Sequence, residues 1–270
     1  MKLSFSTLGC PEWTFEQILD NAQKMGFGGI EIRGIEGEMD ISKIPYFKSG
    51  KIPELKKELE GRNLEIVALD TSASFHDPAT WNAAVKEAKD AIDTAESIGV
   101  PYIRIFGDKV PSEKSQREET LKLIAKGLNE VYRYSEKRKV TPLVESHSDF
   151  NNVEIFKELL HFMDHPKFGV LWDIEPSWQV YGNNFLEFFG FIRRYVKHTH
   201  IKDTKKIDGQ WKLQNPGKGS LPIPLHTMLL EITNYDGYYS LEWEKKWVPE
   251  LDEPEIAFPQ YVELMHKSLF

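Results

Sequence analysis

The chain has one cysteine, Cys10, among its 270 residues. That excludes an intramolecular disulfide and any metal site built wholly from thiolates. No apolar run approaches the roughly 20 residues that a membrane-spanning helix needs. The densest aromatic stretch, Phe188-Phe189-Gly190-Phe191-Ile192, is far too short. The opening Met1-Lys2-Leu3-Ser4-Phe5-Ser6-Thr7 reads as a strand rather than a signal peptide. Basic charge is not in excess either: 34 Lys and Arg face 42 Asp and Glu, a formal net charge of −8. Proteins that live on phosphate backbones normally carry the opposite sign, so nucleic acid is not an expected partner, although a local basic cleft stays open. No Pro/Gly/Ser-rich linker divides the chain. What is present is an ordinary soluble balance, 40% hydrophobic and 28% charged, with ample material for a core. The expectation is a cytoplasmic globular protein with no membrane partner.

Short β-rich runs alternate with amphipathic stretches throughout. Strands are expected over Leu3–Thr7, Gly29–Arg33, Leu64–Leu69, Pro101–Phe106, Pro142–Glu145, Phe168–Asp173, Val196–Ile201 and Tyr238–Glu242. Helices are expected from Thr14 to Gly26 and over Ile52–Gly61, Pro78–Ile98, Ser115–Arg138, Asn152–Met163, Phe185–Arg194, Pro222–Thr233 and Glu253–Leu269. Thr14-Phe15-Glu16-Gln17 carries the capping-box pattern. Eight strand–helix units of about 34 residues argue for parallel strands joined by crossover helices. That number in this length suits an α/β fold of one domain, a closed (β/α)8 barrel over residues 1–270, better than an open doubly wound sheet.

Barrels of this kind place chemistry at the C-terminal ends of their strands. The last four strands end in Leu143-Val144-Glu145, Leu171-Trp172-Asp173, His198-Thr199-His200 and Ser240-Leu241-Glu242. Each brings a candidate ligand, and strand parity decides which side chains share a face: Leu143 with Glu145, Leu171 with Asp173, His198 with His200. A carboxylate ending a strand is by itself more often a helix cap or a solvated loop residue. Four candidates on four consecutive strand ends carry more weight. Three carboxylates and one imidazole favour one divalent cation, Mn2+ first, with Mg2+, Co2+ or Zn2+ as alternatives.

Val144-Glu145-Ser146-His147, Leu171-Trp172-Asp173-Ile174, His198-Thr199-His200-Ile201-Lys202-Asp203 and Leu241-Glu242-Trp243-Glu244 resemble the sugar phosphate isomerase/epimerase group, xylose isomerase-like TIM barrels. Ser6-Thr7-Leu8-Gly9-Cys10 and Gly29-Ile30-Glu31-Ile32-Arg33 are similar to it too, and the resemblance runs across nearly the whole chain. It implies a divalent metal held by Glu145, Asp173, His200 and Glu242. It also implies that Glu145 and Glu242 exchange substrate protons through a metal-stabilised enediolate of a small sugar or polyol-derived compound. Some ketose epimerases of the group place a substrate-binding His three residues after the aspartate; Pro176 stands there in this chain. That departs from the ketose 3-epimerase pattern. An inosose dehydratase-type lyase is the alternative chemistry, because an enediolate with a β-hydroxyl leaving group can eliminate instead. An endonuclease IV-like hydrolase, which needs a His-rich zinc site, and a non-catalytic sugar-binding barrel rank below it.

Further candidates line up around these. His147 and Lys202 are expected to contact substrate, the lysine against the competing reading of a surface salt bridge with Asp203. Glu31, Arg33 and Arg104 end strands and are expected to line the pocket, with buried ion pairs as the competing reading. Glu244 shares parity with Glu242. Pro216-Gly217-Lys218-Gly219-Ser220 precedes a helix and has amides to offer an anion, but reads more simply as a turn. Gly26-Phe27-Gly28-Gly29 precedes a strand instead of following one, so it is no dinucleotide loop. A homodimer is the expected assembly.

Overall fold

The computed structural model describes residues 1–267. In chain order its main elements are β1 (Lys2–Ser6), α1 (Phe15–Met25), β2 (Gly29–Ile32), α2 (Ile52–Arg62), β3 (Glu65–Ser74), α3 (Trp81–Ile98), β4 (Tyr102–Phe106), α4 (Lys114–Ser135) and β5 (Thr141–Glu145). There follow α5 (Val153–Phe162), β6 (Val170–Asp173), α6 (Ile174–Tyr181), α7 (Phe185–Ile192), β7 (Val196–Ile201), β8 (Asp203–Ile207), β9 (Gln210–Gln214), α8 (Ile223–Ile232), β10 (Tyr238–Leu241) and α9 (Pro254–Lys267). Eight strands form a closed barrel in the order β1-β10-β7-β6-β5-β4-β3-β2. The expected (β/α)8 architecture is present. Of the last expected helix, Ser268 and Leu269 lie outside the described residues.

Two compact units account for the packing. One holds Met1–Met39, Lys43–Val67 and His198 onward; the other holds Asp40–Ser42 and Ala68–Lys197. The divisions at Val67 and Lys197 fall inside β3 and β7, not at linkers. In the first unit β1 pairs in parallel with β2 and with β10, setting Ser6 beside Glu31 and Ser4 beside Ser240. There β10 also pairs with β7, with Ser240 beside His200. Phe5 packs on Phe27 and Phe258 at centroid distances of 4.8 and 4.7 Å. In the second unit β4, β5 and β6 run in parallel, with Phe106 beside Glu145 and Glu145 beside Leu171. Strands β2 and β6 are buried at every position, as expected where helices cover one face and packed side chains fill the other.

Local chemistry sets the element ends. The Thr14 side chain accepts from the Gln17 amide at 3.3 Å while Gln17 Oε1 accepts from the Thr14 amide at 2.8 Å, so α1 opens on a complete capping box. It closes at Gly26, whose φ of +83° suits a residue without Cβ. Helix α2 runs through Gly61, the expected stop, and ends where Asn63 takes the left-handed conformation at φ +55°. Asparagine tolerates that region better than most side chains.

Two features depart from the expected pattern. Helix α6 starts directly at the end of β6, with Asp173 as its N-cap and Pro176 in its first turn, where a missing N–H costs nothing. An antiparallel hairpin, β8–β9, stands between β7 and α8, pairing Asp203 with Gln214 and Ile207 with Gln210. Its turn uses Asp208 and Gly209, both at positive φ.

Candidate metal centre

Glu145 and Asp173 are the last residues of β5 and β6, His200 lies one residue before the end of β7, and Glu242 follows directly on β10. All four are buried. In the first unit His200 Nδ1 lies 3.2 Å from Glu242 Oε2; in the second, Glu145 and Asp173 end neighbouring parallel strands. Carboxylates and an imidazole are donors that hard-to-borderline divalent cations take. Asp173 Oδ1 accepts from the Glu175 amide at 3.1 Å, so this strand-end carboxylate caps α6.

The surroundings of these residues are built from residues that the motifs bracket. Ser146 accepts from the Asp173 amide at 2.9 Å, tying the β6 end to β5. Arg104, buried in β4, sets Nη1 3.4 Å from Glu145 Oε2 and Nε 3.8 Å from Asp70 Oδ1. The Arg104 guanidinium also lies 3.8 Å from the centroid of the Phe106 ring, which in turn packs on His147 at 5.3 Å. His147 is half-buried at the end of that stack. Of the two readings of Arg104, the buried ion pair is therefore seen, and it is made to Glu145 itself.

Lys202 is buried and does not pair with Asp203 at the surface. Its Nζ donates to Glu242 Oε2 at 2.6 Å and to Glu244 Oε1 at 2.8 Å. Burial would raise the Glu242 carboxyl, but His200 and Lys202 beside it outweigh that and hold it well below the ordinary carboxylate range. Glu31 behaves alike: burial raises it, and His200 and His198 pull it well below. Its carboxylate faces His198, His200 and Ser240, not Arg33. Arg33 lines a small cavity with Thr7, Cys10 and Trp13, and its amide donates to Thr7 Oγ1 at 3.0 Å.

The glycine loop after β9 is occupied by the protein's own carboxylate. Asp203 Oδ2 accepts from the Gly217 and Gly219 amides at 3.0 and 2.8 Å, and Oδ1 accepts from the Leu221 amide at 3.2 Å. A Cβ on Gly219 would stand 2.0 Å from Asp203 Oδ1. Burial raises the Asp203 carboxyl despite these amides. Of the other histidines, His165 stacks on Tyr132 and faces Glu136, His161 lies in α5 and His266 in α9. Among the described residues no helix is long and apolar enough to cross a membrane.

Sequence reasoning missed three supporting residues, His198, Ser240 and Ser146. Parity placed His198 on the face of His200, so that signal was present. The partnership of His198 with Glu31 spans 167 positions and leaves no local trace.

Three solved structures of low identity share the fold. The probable 3-DHS dehydratase AsbF, involved in petrobactin synthesis in Bacillus anthracis, is 17% identical with a TM-score of 0.78, covering 98% of this chain and 99% of that one. The 3-keto-D-glucoside 4-epimerase YcjR from E. coli is 15% identical, TM-score 0.73, covering 100% and 99%. The IOLI protein, determined with a bound zinc atom, is 19% identical, TM-score 0.73, covering 100% and 96%. No curated protein matches by sequence. The family model described as xylose isomerase-like TIM barrel matches residues 19–262, and this chain belongs to that family.

Proposed function

We propose that the protein is a divalent-metal-dependent isomerase or epimerase of a small, polyhydroxylated carbonyl compound. Glu145, Asp173, His200 and Glu242 would hold the metal. The observation that carries this reading is a buried cation against each of the two buried glutamates, Arg104 on Glu145 and Lys202 on Glu242, with His200 Nδ1 3.2 Å from Glu242 Oε2. Mn2+ is the proposed ion; Mg2+, Co2+ and Zn2+ suit the same donors, and the zinc of the IOLI structure is a precedent within the fold. When bound, the metal would offset the negative charge that develops when a proton leaves the carbon beside a carbonyl.

The chain's own residues supply the rest. Glu145 and Glu242 are the proposed proton-transferring pair, one removing a proton and the other returning it at the neighbouring or opposite position. Arg104 and Lys202 orient those carboxylates, and with His147 they are the proposed contacts for substrate hydroxyls or carbonyl oxygens. Recognition of a substrate phosphate by the Pro216–Ser220 loop has no support, because Asp203 takes its amides.

The test is a set of ketoses, inososes and small hydroxyketones incubated with enzyme and Mn2+ in D2O. Deuterium is expected at carbon α to the carbonyl, with loss on chelation and at least a 100-fold slower exchange in Glu145→Gln. Full turnover by Glu145→Gln on the true substrate would overturn the acid–base assignment. The same experiment reads the lyase alternative: deuterium would then accompany a product lighter by one water.

A further inference from the structure

His200 offers its two ring nitrogens to two different carboxylates. Nε2 lies 2.8 Å from Glu31 Oε1, and Nδ1 lies 3.2 Å from Glu242 Oε2. The second Glu31 oxygen, Oε2, lies 3.0 Å from His198 Nε2 and accepts from the Ser240 hydroxyl. Glu31 and His200 are fully buried, and His198 and Ser240 nearly or wholly so.

Both ring nitrogens face carboxylates, and a nitrogen that takes a cation must give up its hydrogen. Nδ1 is turned toward Glu242, one of the proposed ligands, whereas Nε2 is turned toward Glu31, whose carboxylate accepts its hydrogen at the shorter distance. We infer that Glu31 is a positioning residue for the metal centre: it fixes the tautomer and ring orientation of His200, so that Nδ1 is the ligand nitrogen. His198 and Ser240 engage Oε2 and leave Oε1 to His200. The inference rests on the metal reading above. It replaces the sequence expectation for Glu31, direct substrate contact, because both carboxylate oxygens are engaged and the residue has no exposed surface.

A second cation held by Glu31, His198 and His200 is the competing occupant, since ligand atoms of those three fall within 4.8 Å of one another. The distances favour hydrogen bonds. Two donors on one tetrahedral ion with bonds near 2.0–2.1 Å stand about 3.4 Å apart, whereas 2.8 and 3.0 Å are hydrogen-bond lengths.

The test uses the full chain with 15N-labelled histidine, titrated with 113Cd2+. The expected result is one bound cadmium, scalar coupling to His200 Nδ1 and a retained His200 Nε2–H. Mn2+ affinity, measured by direct titration, is expected to fall about 10- to 100-fold in Glu31→Gln, and less in His198→Gln. Coupling at Nε2, unchanged Mn2+ affinity in a folded Glu31→Gln, or a second cadmium lost in His198→Gln would each overturn the inference. The labelled wild-type spectrum decides the tautomer even if Glu31→Gln fails to fold. Absence of any metal binding by the unaltered chain would remove the metal reading itself, which separates the two failures.

Discussion

His226 shows what a single buried base does to the pH dependence of this protein. Its ring is fully buried in α8, Nδ1 donates to the Pro222 carbonyl at 2.9 Å, and burial lowers its pKa from 6.5 to about 4. A folded pKa below the unfolded one means that the unfolded chain binds the extra proton between those two values. The contribution is therefore fully present above about pH 6.5 and is lost as pH falls toward 4. Between pH 7 and pH 5 the loss is on the order of 2 kcal/mol. Urea unfolding at both pH values is expected to show that slope, and a flatter one in His226→Gln; identical slopes would exclude His226 as its source. The metal-site candidates were legible at this scale because strand parity and strand ends are local properties of Glu145, Asp173, His200 and Glu242. The role of Glu31 was not, since its partners His198 and Ser240 lie 167 and 209 positions away.

Among elements, the β8–β9 hairpin and the glycine loop behind it are fastened by one side chain. Asp203 accepts three backbone amides from that loop, and buried donors stripped of an acceptor cost about 1–3 kcal/mol each. Asp203→Ala is expected to destabilise the protein by at least that amount and to speed hydrogen exchange at the Gly217, Gly219 and Leu221 amides. Gly219→Ala should do the same from the other side, because its methyl would collide with Asp203 Oδ1. Protection unchanged in both variants would show that Asp203 does not hold the loop. The alternation of strands and helices was readable in the sequence. The hairpin went unread although Asp208-Gly209 is a hairpin turn pair and Trp211 and Leu213 alternate with polar residues in β9; Lys205 and Lys206 leave β8 without that alternation. Helix α6 had its signal in Asp173 as a cap followed by Pro176 in the first turn.

For the whole molecule, a ligand that binds only the folded chain stabilises it by mass action. At 100 times its dissociation constant the gain is about 2.7 kcal/mol, which for a chain of this size raises Tm by roughly 5–10 °C. Calorimetry with Mn2+ in excess and after EDTA treatment is expected to show that difference, and to lose it in Asp173→Ala. A Tm indifferent to both additions would remove the metal from the fold's energetics.

The pairing of Lys202 with Glu242 and of Arg104 with Glu145 bears on the order in which the protein is assembled. Small zinc domains stay unfolded until their ion arrives, because its binding free energy is their folding free energy. Here the polypeptide brings ammonium and guanidinium groups of its own to the two glutamates. On the proposed metal reading, newly made chain can thus mature into an ion-free receptacle and wait in that state, and the supply of metal would set how much of it is active rather than how much of it survives.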